Sequence, residues 1–217
     1  MQRRDVLTRV SVATVAAAMV SPSDLWAQGA NPQVGTDFLK LETVVPVETG
    51  AGKIEVIEFF SYMCPHCNAF ESTFSAWVKK VPKDVVVRRV PVHFLANFEV
   101  LQRMYYAMEA MNLVDKLHAK VFAAVHVEHR SFGNADVAAD WLASQGVDRA
   151  KFLAQFNSFS VVTKATRAKQ LTTAYAVDGV PALGVAGRFY TDGAMAKSMD
   201  RALQVVDFLV AEVRTRR

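Results

Sequence analysis

The spacing of apolar positions changes character several times along this chain. Ile54, Val56, Ile57, Phe59 and Phe60 make residues 54–60 an almost unbroken run of branched and aromatic side chains, the texture of a strand buried on both faces. Phe70, Phe74, Trp77 and Val78 then recur at helical spacing up to Pro82, and residues 85–92 return to strand texture. From residue 97 to 176 the period is helical nearly throughout. Phe98, Leu101, Tyr105 and Met108 mark one stripe, and Val114, Leu117, Val121 and Val125 mark a second. Asn134 and Asp148 are candidate N-caps for two further helices, Gly146 stops the first of them, and residues 160–175 predict another. Met104, Tyr105, Tyr106 and Met108 read as helix core. Strand texture reappears at 180–186 and 188–191 with Gly187 at the bend, and residues 196–214 predict a closing amphipathic helix.

Two apolar scraps, 38–41 and 44–47, precede the first strong strand. The order is therefore strand, strand, helix, strand, a block of helices, strand, strand, helix. A helix-only block inside a strand–helix series predicts an α/β domain with an all-helical insertion. The expected boundaries are a first part over 38–96, an insert over 97–165 and a second part over 166–217. Residues 28–37, rich in Gly, Asn, Pro, Gln and Asp, predict a flexible arm.

Composition narrows the class. Of 217 residues, 52% are hydrophobic and 21% charged, which excludes a mainly disordered or collagen-like chain. No apolar run reaches the roughly 20 residues of a membrane span. The net charge of +4 is mild, and its basic residues are scattered, so no nucleic-acid partner is expected. The first 27 residues read as a secretory signal: Arg3, Arg4 and Arg9 precede an apolar stretch over 10–20, and Ala27 ends a cleavage site. Arg3-Arg4 also resembles a twin-arginine signal, and the general secretion route stays open. Either route leads out of a bacterial cytoplasm, where both cysteines meet an oxidising compartment.

Those cysteines carry the chemistry. Cys64-Pro65-His66-Cys67 follows the buried strand and opens a helix. The first sulfur then meets the unpaired N–H groups and positive end of that helix, which favour a thiolate. Pro65 suits the first helical turn, and His66 adds a donor and positive charge between the sulfurs. Stabilising the reduced thiolate makes the disulfide a stronger oxidant. Three other readings stay open. One is a structural disulfide, although so small a loop gains little entropy. Another is a metal site completed by His126 and His129, and the third is a Cys–His–Asp acyl-transfer triad.

At these residues the chain resembles the thioredoxin superfamily, and within it the DsbA family of periplasmic thiol:disulfide oxidases. The resemblance rests on the stretch from Glu58 to Cys67, on Gly179-Val180-Pro181-Ala182, and on the helical block between them. It covers essentially all of residues 38–214. It implies a thioredoxin fold with an inserted helical domain. Cys64 would be the exposed nucleophile, Cys67 the buried partner, His66 the group that sets the thiolate pKa, and Pro65 its helix-opening neighbour. Pro181 would face the disulfide after a cis Val180–Pro181 bond, presenting the Val180 backbone to an extended substrate. Glu58 would lie beneath the site as a proton carrier for Cys67, with Arg89 as its basic partner and Arg88 as the competing choice. Met63 stands where some relatives carry an aromatic residue, and His93-Phe94-Leu95 either packs at a strand end or lines an apolar surface near the site.

The expected activity is a monomeric periplasmic dithiol oxidase that gives its Cys64–Cys67 disulfide to newly exported, unfolded cysteine-containing proteins. A quinone-linked membrane partner of the DsbB type would reoxidise it. The resemblance implies no metal, flavin or nucleotide cofactor. The competing expectations are a specialised disulfide reductase or isomerase and a non-catalytic periplasmic chaperone.

Overall fold

The computed structural model describes residues 31–92, Phe94 and 98–216. The expected signal peptide, and His93 and Leu95 of the expected apolar surface, lie outside the described residues. Five strands form one sheet in the order β1-β5-β4-β2-β3. The strands are β1 (Leu39–Lys40), β2 (Ile54–Phe60), β3 (Val85–Pro91), β4 (Ala182–Val185) and β5 (Phe189–Asp192). β2 and β3 are parallel, and every other pairing is antiparallel. Helix α1 (Pro65–Val78) makes the crossover between the parallel strands. Five helices then intervene before β4: α2 (Glu99–Ala110), α3 (Val114–His126), α4 (Ala135–Ser144), α5 (Arg149–Phe156) and α6 (Phe159–Ala174). Helix α7 (Met199–Thr215) closes the chain. Among the described residues no helix is long and apolar enough to cross a membrane.

Every residue of β2 is buried, because both faces of the sheet are covered. On one face Ile54, Val56, Leu183 and Val185 pack with Phe70 and Phe74 of α1 and Val206 and Leu209 of α7. The second cluster joins Ile57, Phe59 and Phe60 to the helical block through Met104, Met108, Leu117, Phe152 and Tyr175. Met104 and Met108 are wholly enclosed, and Tyr105 and Tyr106 nearly so, as core residues. Four helices start on side-chain caps: Asn134, Asp148, Ser158 and Ser198 each accept a backbone N–H three residues on. The helix expected from residue 160 starts at Phe159 and continues past position 165 to Ala174.

Two local expectations differ from what the structure contains. The arm over 28–37 is expected to be flexible, yet residues 33–37 form a turn in which Asp37 N–H donates to the Gln33 carbonyl at 2.8 Å. Asp37 also accepts from Gln33 N–H through its side chain and receives the Thr191 hydroxyl on its carbonyl, at 2.9 and 2.7 Å. The polar residues that suggest a loose arm are the ones that make these bonds, while residues 28–30 of the arm lie outside the described residues. The strand expected from residue 180 starts at Ala182, since Pro181 has no N–H to give a ladder. The β4–β5 bend places Ala186 and Gly187 at φ +53° and +67°, the geometry of a type I′ hairpin. A Cβ at position 187 would collide with the Val45 carbonyl oxygen, so only glycine fits. Val45 N–H donates to the Gly187 carbonyl at 2.8 Å and ties the 44–47 segment, which is no strand, to the bend.

Candidate active site

Cys64 is the N-cap of α1, with extended backbone (φ −88°, ψ 118°), and Pro65 is the first helical residue. The approach to it is held on both sides. Cys64 N–H donates to the Ser61 carbonyl at 3.0 Å, and Met63 N–H to the Ser61 hydroxyl at 3.2 Å. His126 of α3 donates through Nε2 to the Tyr62 carbonyl at 2.8 Å. His126 is therefore committed to this loop, and His129 stands exposed beyond the end of α3. Among the described residues no group of three or more His, Cys, Asp or Glu side chains is placed to hold a metal ion.

Both cysteines are free thiols, one half-buried and one enclosed. The Cys64 thiol donates to the Val180 carbonyl at 3.2 Å, across a long stretch of chain, and the Val180–Pro181 bond is cis. The helical block thus intervenes in sequence between two segments that meet in space. The thiol pKa of Cys64 falls to about 6. Its largest cause is a hydrogen bond from the Cys67 thiol, working against partial burial. The backbone N–H groups of Cys67 and His66 and the His66 charge add smaller contributions. His66 itself is exposed. Burial, and then the bond given to Cys64, push Cys67 far in the opposite direction. Pro65 and Met63, the chain neighbours of Cys64, are exposed, and Phe94 is exposed as well.

Beneath the pair lies a buried ionic cluster. Glu58 and Arg89 are register partners on the parallel strands β2 and β3, and Arg89 Nε donates to Glu58 Oε2 at 2.9 Å. Arg88, one residue earlier, points to the opposite face and pairs with Glu55 at 3.2 Å. Glu58 is 1% exposed, and burial raises its pKa to about 8 although Arg89 pulls the other way. A second carboxylate shares the arginine: Arg89 Nη2 donates to Glu71 at 2.9 and 3.1 Å and to the Ser75 hydroxyl at 3.1 Å. The Arg89 guanidinium lies over the Phe74 ring, 5.2 Å from its centre. Glu58 also raises the Cys67 pKa by its charge, which puts the two within electrostatic reach.

The sequence reading names Cys64, Cys67, Pro65, His66, Val180, Pro181, Glu58 and Arg89, and the structure gathers these around the two thiols and the cluster below them. It omits Glu71, Ser75, Tyr62 and His118, and names His126 only as a candidate metal ligand. Glu71 and Ser75 are legible in retrospect, because Cys67, Glu71 and Ser75 repeat every four residues on one face of α1.

Comparison with known proteins gives a consistent result. The model of the DSBA-like thioredoxin domain matches residues 55–204. The thiol:disulfide interchange protein DsbA of Bordetella parapertussis is 42% identical over 201 residues, 92% of this chain and 95% of that protein. The protein of the same name from Pseudomonas aeruginosa is 37% identical over 203 residues, 94% of this chain and 96% of that protein. The crystal structure of Pseudomonas aeruginosa DsbA superposes with a TM-score of 0.81 at 38% identity, covering 84% of this chain and 94% of that one. That of the oxidoreductase DsbA from Xylella fastidiosa gives 0.81 at 30%, covering 86% of this chain and 100% of that one.

Proposed function

This chain belongs to the DsbA family and is a thiol:disulfide oxidoreductase, and from that premise we propose that it acts as a periplasmic dithiol oxidase through Cys64 and Cys67. The observation that carries the direction of transfer is the asymmetry of the pair. Cys64 is accessible and ionises at about 6, while Cys67 is enclosed and holds its proton.

A substrate thiolate attacks Cys64 Sγ of the disulfide form, and the S–S bond breaks toward Cys67. The electron pair left on Cys67 takes up a proton. Glu58, protonated at neutral pH and within reach, supplies it. The mixed disulfide then holds the substrate at Cys64, next to the exposed edge around Met63 and the Val180 carbonyl. A second substrate thiolate attacks the substrate sulfur and expels Cys64 as a thiolate, a good leaving group because its pKa is low. Two electrons have moved from the substrate dithiol to the Cys64–Cys67 pair, and the substrate carries a new disulfide. His66 adds charge near the leaving sulfur, and Pro65 starts the helix whose N–H groups face it. The partners that fit are newly exported proteins with paired thiols, and a quinone-linked membrane oxidase of the DsbB type that restores the disulfide.

Mixing the disulfide form with a peptide that carries two cysteines tests this reading. One intramolecular peptide disulfide per protein is expected, together with ready reduction of the pair by glutathione. A pair that stays oxidised in glutathione, or that reduces scrambled substrates faster than it oxidises dithiols, would replace the oxidase reading with a reductase or isomerase. A Cys64→Ser protein that keeps full activity in cells would point to a chaperone.

A further inference from the structure

The mechanism above uses Glu58 but leaves unexplained a line of buried polar groups running from it into the helical block. Glu71 Oε2, which shares Arg89 with Glu58, meets His118 Nε2 at 3.2 Å. His118 Nδ1 meets the Tyr62 hydroxyl at 2.6 Å. His118 belongs to α3, is 4% exposed, and stands among the rings of Phe60, Phe122 and Tyr105 at 5.0, 5.1 and 5.9 Å. A polar imidazole in an aromatic nest needs its two bonds to offset its burial.

The direction of those bonds follows from the protons available. Burial, and then the Arg89 charge, hold the His118 pKa down against the pull of Glu71, so the ring is neutral and has one N–H. An ionised carboxylate has no proton to give, so that N–H is on Nε2 and points to Glu71. Nδ1 is then an acceptor and takes the proton of Tyr62, whose own ionisation is suppressed by burial. Among the described residues, the groups that act on Glu71 are Arg89 from β3, Glu58 from β2, His118 from α3 with Tyr62 behind it, and Ser75 on its own helix. Burial alone would push the Glu71 carboxyl up. The bond from His118 and the neighbouring charges bring it below its ordinary range. The Glu71 charge, in turn, is one of the influences that raise Glu58.

We propose that His118 is a positioning residue contributed by the helical insert: it keeps Glu71 ionised beside Arg89, and the Glu71 anion divides that cation so that Glu58 keeps a proton within reach of Cys67. The inference rests on the oxidase reading above, in which Glu58 serves Cys67. It adds the requirement that the inserted helices complete the proton carrier, besides covering the sheet.

The test follows both carboxyl groups by carbon-detected NMR across pH 3–10 in the reduced full chain, for the parent protein, His118→Phe, His118→Gln and Glu71→Gln. Phe fills the nest but donates nothing, whereas Gln can donate to Glu71 and accept from Tyr62. His118→Phe should raise the Glu71 midpoint by about one pH unit, and His118→Gln should leave it in place. Glu71→Gln should lower the Glu58 midpoint by about one pH unit, because one nearby anion is gone. The pH at which the mixed disulfide releases Cys67 should follow it down. An unchanged Glu71 midpoint in His118→Phe, or an unchanged Glu58 midpoint in Glu71→Gln, overturns the proposal. Failure of the parent protein to oxidise a dithiol peptide would instead overturn the oxidase reading, whatever the carboxyl midpoints.

Discussion

Strand β3 carries two adjacent arginines, and the pleat sends them to opposite faces, each onto a buried glutamate of β2. The two pairs use the same residue types at nearly the same depth, since Glu55 and Glu58 are 2% and 1% exposed. Their surroundings separate them. Glu55 also accepts the backbone N–H of Glu48 at 3.1 Å, and Arg88 reaches the Glu48 carboxylate at 3.4 Å. Glu48 is about half exposed, and the 660 Å³ cavity that Glu55 lines is open at the end of the sheet away from the thiols. That pair fastens the segment before β2 to the sheet. The other pair is more deeply set, with Arg89 15% exposed against 23% for Arg88; it shares its one cation with Glu71, and its Glu58 lies within electrostatic reach of Cys67. The same ion pair is a fastening where it has a wet exit. On the function proposed above, it serves as a proton carrier where two carboxylates compete for one guanidinium with less access to water.

The sharpest way to break this comparison is to remove each cation in turn. Arg89→Met leaves the Glu71 anion without a positive partner and Glu58 without its donor, and should cost about 3–5 kcal/mol of stability at neutral pH. Arg88→Met leaves Glu55 with its backbone donor and Glu48 with water, and should cost about 1–2 kcal/mol. Urea unfolding of the reduced proteins measures both. Equal losses would mean that the second carboxylate and the deeper setting make no difference.

Removing the acids should separate fastening from chemistry. Glu55→Gln should unfold more easily, by about 1–2 kcal/mol, while dithiol oxidation stays at the parent rate. Glu58→Gln should do the reverse, slowing release of Cys67 with a smaller effect on folding. Its stability has a definite sign. Native Glu58 keeps its proton up to about pH 8, whereas the unfolded chain gives it up near 4.5. The native state therefore binds more protons between those values, and stability is lost as pH rises through that window. Glu58→Gln removes the loss. The variant should gain on the parent protein from pH 5 to pH 8, and unfolding curves at pH 5, 6.5 and 8 would show it. A constant difference across the three would mean that Glu58 is ionised in the native state.

Half of this comparison is legible in the sequence. Glu58 and Glu55 stand out as charges inside an apolar run, and period-two alternation places them on opposite faces. That Arg89 and not Arg88 meets Glu58 depends on the parallel register of β2 and β3, which no local pattern fixes. The strands, the caps at Asn134 and Asp148, and the Cys64–Pro65 helix start are local signals and are readable. Glu71 shows only as a face-mate of Cys67 on α1 and His118 not at all, because each looks like an ordinary helix residue in its own segment. They acquire a role only when α3 packs on α1, a contact between distant parts of the chain. The 33–37 turn escapes for the same reason, since two of its partners, Thr191 and Arg201, lie near the other end of the chain.

The smallest expected effect reaches the exposed sulfur and asks whether the α1 face acts on it through Cys67. Thiolate absorbance of the reduced protein should show Cys64 half ionised at about pH 6. Cys67→Ala deletes the largest stabilising bond and should move that inflection upward by about one pH unit. His66→Ala keeps the backbone N–H that the thiolate uses and loses only an exposed charge, which water and salt screen. It should move the inflection upward by less, and added salt should shrink the difference further. Glu55→Gln and Arg88→Met, on the far face, should not move it. The order of the first two is the point at issue. If His66→Ala moves the inflection more than Cys67→Ala does, the acidity of Cys64 is a property of the exposed imidazole. The buried cluster would then reach substrate only through the proton on Cys67. If Cys67→Ala moves it more, the two sulfurs are one acid-base unit, and the enclosed face of the sheet governs both ends of the exchange.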